Sequence, residues 1–185
     1  VQSCFRNGYF VEQHEGVRVQ RCPLWVPRRP SGLTRLLHLA SFALTSLVPL
    51  LAHRRWRPHV VITVAPAFFC VPGALLLGRL CGPRTITWLH LQDFELDAAF
   101  ELGLLKGRLL RSIAETLECR ALRSFRRVSS ISSAMVHRLG LKGVDPSRSL
   151  LLPNWVDLDA ILPHVGTARL ENSYRRVLGI SPDQL

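Results

Sequence analysis

The sequence predicts an α/β domain, a parallel sheet flanked by helices, and three observations lead to this prediction. Short β-branched or apolar runs alternate with longer helical patterns at least three times along the 185 residues. Apolar residues make up 48% of the chain and charged residues 20%, which excludes collagen-like and strongly disordered classes. A chain of this length can also bury a core without disulfides or a structural metal.

The first two predicted elements are a strand and an unusually apolar helix. Residues 16–22 alternate apolar and polar side chains, which is the period of a half-buried strand. Residues 33–53 are almost all apolar, with Pro49 inside, but the uncharged run 36–52 falls short of the roughly 20 residues that a membrane span needs. We therefore favour a helix buried in the domain or half-sunk in a membrane surface over a true span.

The net charge of +11 comes almost entirely from arginine, since only two of the 24 basic residues are lysines. Arg54, Arg55 and Arg57 follow the apolar helix, where they would suit anionic lipid head groups. Arg123 and Arg127 belong to a basic stripe at helical spacing; it is most simply a solvated face, and a phosphate-bearing lipid or nucleotide is the alternative. Charge alone favours nucleic acid, membrane and phosphorylated substrates equally.

From residue 59 onward the sequence predicts strands that alternate with helices. The run at 59–64 is typical of a strand buried on both faces of a parallel sheet. Ser132 is suited to cap the helix that follows the third sheet strand, and Gly140 to end it. The expected strands are 59–64, 85–89, 128–131 and 150–152, and the expected helices are 68–80, 104–126 and 133–139.

Polar residues directly after buried strands are the candidate site, because open parallel sheets bind ligands beyond the carboxyl ends of their strands. Three places qualify: Ala65-Pro66, residues 90–93 and Pro153-Asn154. The second is the richest, with an imidazole, an amide and two carboxylates in six residues: His90, Gln92, Asp93 and Glu95. These groups can hydrogen-bond ligand hydroxyls and stabilise charge.

Each of these residues also has a simpler explanation. Asp93 can merely cap a following helix, and Asn154 can bond its own backbone in a turn. The serines Ser129, Ser130, Ser132 and Ser133 resemble a nucleophile cluster, but no G-x-S-x-G elbow surrounds them, so capping is the better interpretation.

Metal, dinucleotide and nucleic-acid functions lack their sequence signatures. The five cysteines form no C-x-x-C pair, which argues against a zinc site or a disulfide framework and fits a reducing cytosol. The sequence has no G-x-G-x-x-G, P-loop or H-E-x-x-H motif. Aromatic residues are not interleaved with the basic ones as single-strand binders require, so we expect neither metal, cofactor nor nucleic acid.

Five stretches, taken in order along the chain, carry a family resemblance. They are VRVQRCPLWVP at 17–27, RPHVVI at 57–62, HLQDFELDA at 90–98, SSISSAM at 129–135 and LLPNWVD at 151–157. Together they resemble the N-terminal domain of glycosyltransferase family 4, most closely the colanic-acid-type exopolysaccharide transferases. Each stretch alone is weak, but the combination spans almost the whole chain.

The resemblance implies a Rossmann-like domain that forms the acceptor-side half of a two-domain, GT-B enzyme. Residues 1–170 would be this domain without its first strand, and 171–185 the start of a linker to a nucleotide-sugar domain. No two glutamates stand eight positions apart, so the Glu-x7-Glu signature of that second domain is not in this chain. We therefore expect the chain to be inactive alone.

The resemblance also implies the chemistry and the roles of the candidate residues. His90 and Asp93 would line the cleft beside the reacting sugars as catalytic residues, with Gln92, Glu95 and Asn154 shaping the acceptor side. The full enzyme would transfer a sugar from a nucleotide sugar to a lipid-linked saccharide, with retention of configuration and without metal. It would be cytoplasmic and peripheral to the anionic inner membrane. The alternative is a non-catalytic module that binds a phosphorylated lipid or saccharide there.

Overall fold

The structure is a computed structural model that describes residues 8–29, 32–65, 68–94, 96–97, 100, 103, 107–157 and 177–179. The chain divides into two compact units, Val1–Pro153 and Asn154–Leu185. The first unit holds both sheets. Within the second, residues 154–157 and 177–179 are described. Pro66, Glu95 and most of the expected linker at 171–185 lie outside the described residues.

An antiparallel hairpin opens the described chain. Strand β1 (Phe10–His14) pairs with β2 (Val17–Arg21) through a two-residue turn in which Glu15 and Gly16 both have positive φ, +49° and +82°. Positive φ at both central residues is the requirement of a type I′ turn, whose twist matches that of the two strands. The sequence predicted β2 but missed β1, and with it the hairpin.

The main sheet has four parallel strands in chain order. They are β3 (Val60–Ala65), β4 (Ile86–Leu91), β5 (Arg127–Ser130) and β6 (Ser149–Leu151). Each connection between consecutive strands includes a helix, as parallel pairing requires. The α/β fold with a parallel sheet flanked by helices is therefore confirmed.

Helices connect and flank the sheet strands. The helices are α1 (Gly32–Ala52), α2 (Val71–Cys81), α3 (Arg108–Ser124) and α4 (Ser133–Leu141), and short 3-10 turns occupy His53–Trp56, Phe68–Cys70 and Pro146–Arg148. Ser132 caps α4 as predicted, because its Oγ accepts a hydrogen bond from the Met135 N–H at 3.3 Å. Gly140 does not end the helix: it lies inside α4, and Gly143 supplies the left-handed residue, with φ of +85°.

The core lies on one face of the sheet. Buried apolar side chains from β3, β4 and β5 pack with others from the helices and loops: Val61, Ala65, Val71, Ala74, Leu77, Leu89, Leu91, Phe94, Leu122, Phe125, Val128, Leu139 and Val144. Helix α2 approaches the sheet closely because Gly78 leaves room for the Thr87 methyl group, which an added Cβ would overlap.

Two predictions about strand burial are wrong. In β3, Val60, Ile62 and Val64 are 42, 58 and 47% exposed, so this strand is buried on one face and not on both. In β6, Leu150 and Leu151 are also exposed. In β3 the exposed residues share one face of the sheet, and Ile86, the register partner of Val60 on the inner strand β4, is 37% exposed on that face as well. Strand β6 is an edge of the four-stranded sheet.

Helix α1 is half-buried along most of its length and is not a core helix. Only 6% of its most apolar window is buried, and the segment Thr34–Trp56 has a mean hydropathy of 1.6. By length and composition alone this helix is long and apolar enough to cross a membrane. One side of α1 contacts the preceding loop, where Thr45 Oγ1 donates to the Pro23 carbonyl at 2.6 Å and Trp25 N–H donates to Ser41 Oγ at 2.9 Å.

Candidate functional site

The carboxyl ends of the four parallel strands lie side by side. Ala65 pairs with Leu91, Leu91 with Ser130, and Ser130 with Leu151, so the ends of the strands are in register. Hydrogen bonds continue the ladder one residue further: Gln92 N–H donates to the Ala65 carbonyl at 3.4 Å. The segments that leave these strands therefore start from one edge of the sheet, which is where ligands bind in such folds.

His90 lies inside the sheet and not in a loop. Strand β4 runs to Leu91, two residues beyond the predicted end, because β3 and β5 continue to pair with it on both sides. His90 is consequently buried, with 9% of its surface exposed. The prediction that His90 follows the end of the strand is therefore wrong. His90 is paired on both sides and lies one residue before the end of β4.

A buried hydroxyl and a half-buried indole group fix the His90 ring. Its Nδ1 lies 2.8 Å from Ser129 Oγ on the neighbouring strand, and the Trp88 Nε1–H donates to the same Oγ at 2.8 Å. Ser129 is fully buried. Burial lowers the pKa of His90 below its ordinary value, since desolvation disfavours the imidazolium ion. The imidazole is therefore neutral at neutral pH.

Two of the four serines that we interpreted as capping residues have other roles. Ser129 and Ser130 are buried residues of β5; the first contacts His90, and the second donates from Oγ to the Leu91 carbonyl at 2.8 Å. The capping interpretation is right for Ser132 and wrong for this pair. Their burial was the missed signal, because adjacent serines within a predicted buried strand must find partners across the sheet.

The other predicted site residues differ in their surroundings. Gln92 is half-buried and Asp93 is exposed, and both directly follow β4. His90, Gln92 and Asp93 thus share one strand end. Asn154 is exposed and belongs to the second unit, and Glu95 lies outside the described residues.

A buried charge cluster forms around Asp97, which lies in the segment that follows this strand end. Lys142 Nζ donates to Asp97 Oδ1 at 3.2 Å and also to Glu118 Oε2, and it lies 3.0 Å from Asp97 Oδ2. Arg138 Nη2 lies 2.8 Å from the same Oδ2. Both cations also stack over the Phe94 ring, 5.2 and 5.1 Å from its centre. The cluster thus ties Phe94 and Asp97 to α3, to α4 and to the residue that follows α4.

Burial and pairing act in opposite directions on the ionisable groups of this cluster. Desolvation raises the pKa of Glu118 above its usual value, although Lys142 counteracts this effect. Desolvation would lower the pKa of Lys142, but its hydrogen bonds to Glu118 and Asp97 outweigh burial and raise it. One ammonium group is therefore shared by two carboxylates in a poorly hydrated place.

Comparison with known proteins identifies the family. The model described as Glycosyl transferase 4-like domain matches residues 3–155. The chain belongs to this family of glycosyltransferases. A relative is the candidate colanic acid biosynthesis glycosyl transferase WcaI of Escherichia coli (strain K12), which is 44% identical over 169 residues. The aligned part covers 89% of this chain and 41% of WcaI, so the chain spans about two fifths of the length of that relative.

Membership of the glycosyl transferase 4-like family confirms the resemblance read from the five sequence stretches. Of those stretches, the one that begins at His90 contributes His90, Gln92 and Asp93, together with Phe94 and Asp97 of the charge cluster. The sequence reasoning missed Ser129, Trp88 and the cluster. Their partners are 24 to 45 residues away in sequence, so only the fold brings them together.

The arginines predicted to contact membrane or phosphate lie on different elements of this glycosyl transferase 4-like domain. Arg127 starts β5, at the amino edge of the sheet, where it lines a cavity of about 380 Å³ with Arg126 and Arg148. Arg123, near the end of α3, contacts the Lys142 carbonyl at 3.4 Å. The exposed residues Arg54, Arg55 and Arg57 directly follow α1.

Proposed function

We propose that this chain forms the acceptor-side domain of a GT-B glycosyltransferase that acts in exopolysaccharide synthesis. The observation that carries the proposal is the family match over residues 3–155, together with 44% identity to WcaI, whose name places it in colanic acid biosynthesis. In this proposal a nucleotide sugar is the donor, a lipid-linked saccharide is the acceptor, and the anomeric configuration is retained without metal.

The strand-end geometry supports specific roles for the site residues. His90 is a neutral imidazole at the end of a central strand, where it can form hydrogen bonds without carrying charge. Asp93 is an exposed carboxylate three residues later, suited to accept a hydrogen bond from the attacking acceptor hydroxyl. The family resemblance, and not the strand-end geometry, is our ground for assigning Gln92, Glu95 and Asn154 to acceptor binding.

A second domain completes the proposed enzyme. The relative WcaI is more than twice as long as the part aligned with this chain. In the proposed mechanism that further domain binds the nucleotide sugar and stabilises the departing diphosphate, while the present domain orients the acceptor. The 185 residues alone are then expected to bind the acceptor without transferring sugar.

A chimeric enzyme tests the proposed activity. The part of WcaI that aligns with this chain is replaced by the 185 residues, and the chimera is supplied with membranes and radiolabelled nucleotide sugars. We expect label in the lipid-extractable fraction, and a loss of at least tenfold in His90→Ala and in Asp93→Ala. Arg148→Ala, at the amino edge of the sheet, is the matched control and should keep the parental rate.

The outcomes of this experiment separate the proposal from its alternative. A folded chimera that binds lipid-linked saccharide but transfers no label supports the non-catalytic binding module. Transfer that continues at the parental rate in both site variants would show that His90 and Asp93 are not the catalytic residues, even if the domain is part of a transferase.

We further propose that α1 attaches this domain to an anionic membrane surface. Leu37, Leu44 and Val48 are 51, 69 and 65% exposed, and their spacing of seven and four residues places them on one face of the helix. Basic residues follow directly: Arg54 and Arg55. An apolar stripe next to arginines is the pattern of helices that lie in the interface plane.

Vesicle binding tests the membrane proposal. We expect the chain to sediment with vesicles that contain anionic phosphatidylglycerol and to bind neutral vesicles several-fold more weakly. Leu44→Asp should abolish most binding, because it places a charge in the exposed stripe. Leu141→Asp, at an exposed leucine outside α1, is the matched control and should bind normally. Equal binding of both variants would refute attachment through α1.

A further inference from the structure

We propose that Ser129, oriented by Trp88, holds His90 as the tautomer with its proton on Nε2, which makes His90 a hydrogen-bond donor and not a general base. The role in sugar transfer rests on the function proposed above. The tautomer itself follows from the structure alone. Ser129 and Trp88 are positioning residues in this proposal, since they act through the His90 ring.

Ser129 Oγ has two hydrogen-bond neighbours, Trp88 and His90. The Trp88 indole N–H can only donate, and it lies 2.8 Å from this oxygen. One lone pair of Oγ is thereby used. The second neighbour is His90 Nδ1, also at 2.8 Å, which can either donate or accept. The location of the hydroxyl hydrogen of Ser129 therefore decides the tautomer.

Burial then selects one arrangement. Ser129 has no exposed surface, so its hydroxyl hydrogen needs an acceptor inside the protein. Within the described part of the chain, the acceptor in contact with this hydroxyl is His90 Nδ1. If Nδ1 carried the proton instead, Oγ would receive two donors and its own hydrogen would be left buried without an acceptor. Every group has a partner when the Trp88 N–H donates to Ser129 Oγ and the Ser129 O–H donates to His90 Nδ1.

The sheet itself makes this chain of hydrogen bonds rigid. Trp88 and His90 are two residues apart in β4 and so project from the same face, and Ser129 is the register partner of His90 on β5. The positions of the three side chains are thus fixed by β4 and β5, the two inner strands of the sheet, and not by a loop. An imidazolium ion would need to donate from Nδ1 and would break the same chain, which agrees with the neutral state favoured by burial.

The tautomer determines what the His90 ring can do in the reaction. With Nδ1 occupied as an acceptor, Nε2–H is the group that His90 can offer to a ligand, and it has no hydrogen-bond partner among the described residues. A neutral N–H donor can bind a sugar hydroxyl or stabilise charge that develops on an oxygen. An N–H group cannot remove a proton from the hydroxyl of the acceptor saccharide, so another group must be the general base.

Nitrogen NMR of the ¹⁵N-histidine-labelled chain tests the tautomer without any activity assay. Long-range ¹⁵N–¹H spectra at neutral pH distinguish a protonated from an unprotonated ring nitrogen, and His90→Gln assigns the signals. We expect a proton on Nε2 and none on Nδ1. In Ser129→Ala and in Trp88→Phe, loss of one neutral hydrogen bond should shift the tautomer ratio toward Nδ1–H by about five- to tenfold. Ser129→Thr, which keeps the hydroxyl, should behave as the parent.

The outcomes are distinct from those of the transferase experiment. A proton on Nδ1 in the parent chain, or one tautomer ratio shared by the parent, Ser129→Ala and Trp88→Phe, overturns the inference whatever the chimera does. If NMR shows the expected tautomer but the chimera transfers no sugar, the inference about the tautomer holds. Only the proposed role of His90 in sugar transfer is then refuted.

Discussion

Removal of the Lys142 ammonium group should destabilise this domain strongly. Lys142 neutralises two buried carboxylates, and the side chain of Glu118, which is 2% exposed, has no other ion-pair partner among the described residues. The substitution Lys142→Met keeps most of the volume of the side chain and deletes its charge. The experiment therefore isolates the charge from the packing.

The structure sets the size of the expected effect. Breaking one side of a buried ion pair typically costs about 3 to 5 kcal/mol, because the other charge is left buried. Asp97 keeps Arg138, whose Nη2 lies 2.8 Å away and is half-exposed, so the loss falls mainly on Glu118. We therefore expect a decrease of about 3 kcal/mol in the free energy of unfolding, near the lower end of that range.

Urea denaturation of the chain, followed by circular dichroism, measures this decrease. Lys142→Met/Glu118→Gln should recover most of it, because the orphaned carboxylate is then gone. Glu115→Gln is the control: it removes an exposed ion pair with Arg111 on α3 and should change stability by less than about 0.5 kcal/mol. A loss below about 1 kcal/mol in Lys142→Met, or no recovery in the double variant, would refute the assigned role.

The same variant has a defined pH dependence. Burial already raises the pKa of Glu118 in the folded protein, so the folded state holds its proton to a higher pH than the unfolded state. Loss of Lys142 raises this pKa further. Stability contributed by the protonated carboxyl is present at low pH and is lost as pH rises through the folded pKa. The deficit of Lys142→Met should therefore be smaller at pH 5 than at pH 7.

Three further predictions concern the sheet and its helices. Gly78→Ala should destabilise the domain by about 1 to 3 kcal/mol through overlap with the Thr87 methyl group, and added Thr87→Ser should recover part of this loss in denaturation experiments. Ser132→Ala should cost about 1 kcal/mol through loss of the α4 cap; an unchanged urea midpoint would contradict that role. The lowered pKa of His90 means that the unfolded state binds its proton first, so stability should fall as pH drops below about 6.5, and His90→Gln should flatten this slope.

Much of the fold could be predicted because local patterns decide it. The β-branched run that contains Val61 and the Ser132 cap each specify an element from neighbouring residues alone. Edge positions could not be predicted, because strand order depends on all four strands together. The exposure of Leu151 follows its edge strand, and that of Val60 depends on which face of the sheet other segments cover; neither can be read from the residue's own segment. The hairpin was missed because Glu15-Gly16 is not one of the Asn-Gly, Asp-Gly or Gly-Gly pairs that mark a type I′ turn.

The candidate site could be predicted in position but not in its chemistry. The strand end at residues 90–93 follows from the general geometry of parallel sheets. Whether His90 is charged, buried or fixed depends on Ser129, whose partner lies 39 residues away. No sequence pattern marks a strand serine as the hydrogen-bond partner of a distant histidine. The predicted range for β4 also stopped too early, since pairing with β5 extends it to Leu91.

The two networks of buried polar residues act on different parts of the same strand end. The hydrogen bonds of Ser129 fix His90 within the sheet, where the backbone ladder already limits movement. Lys142 instead holds Asp97, and so restrains the segment that carries Asp93 out of the sheet. In an arginine-rich chain this lysine is suited to its place, because a compact ammonium group can serve two carboxylates from one point. Loss of the first network should therefore alter the chemistry of His90, whereas loss of the second should alter the placement of Asp93.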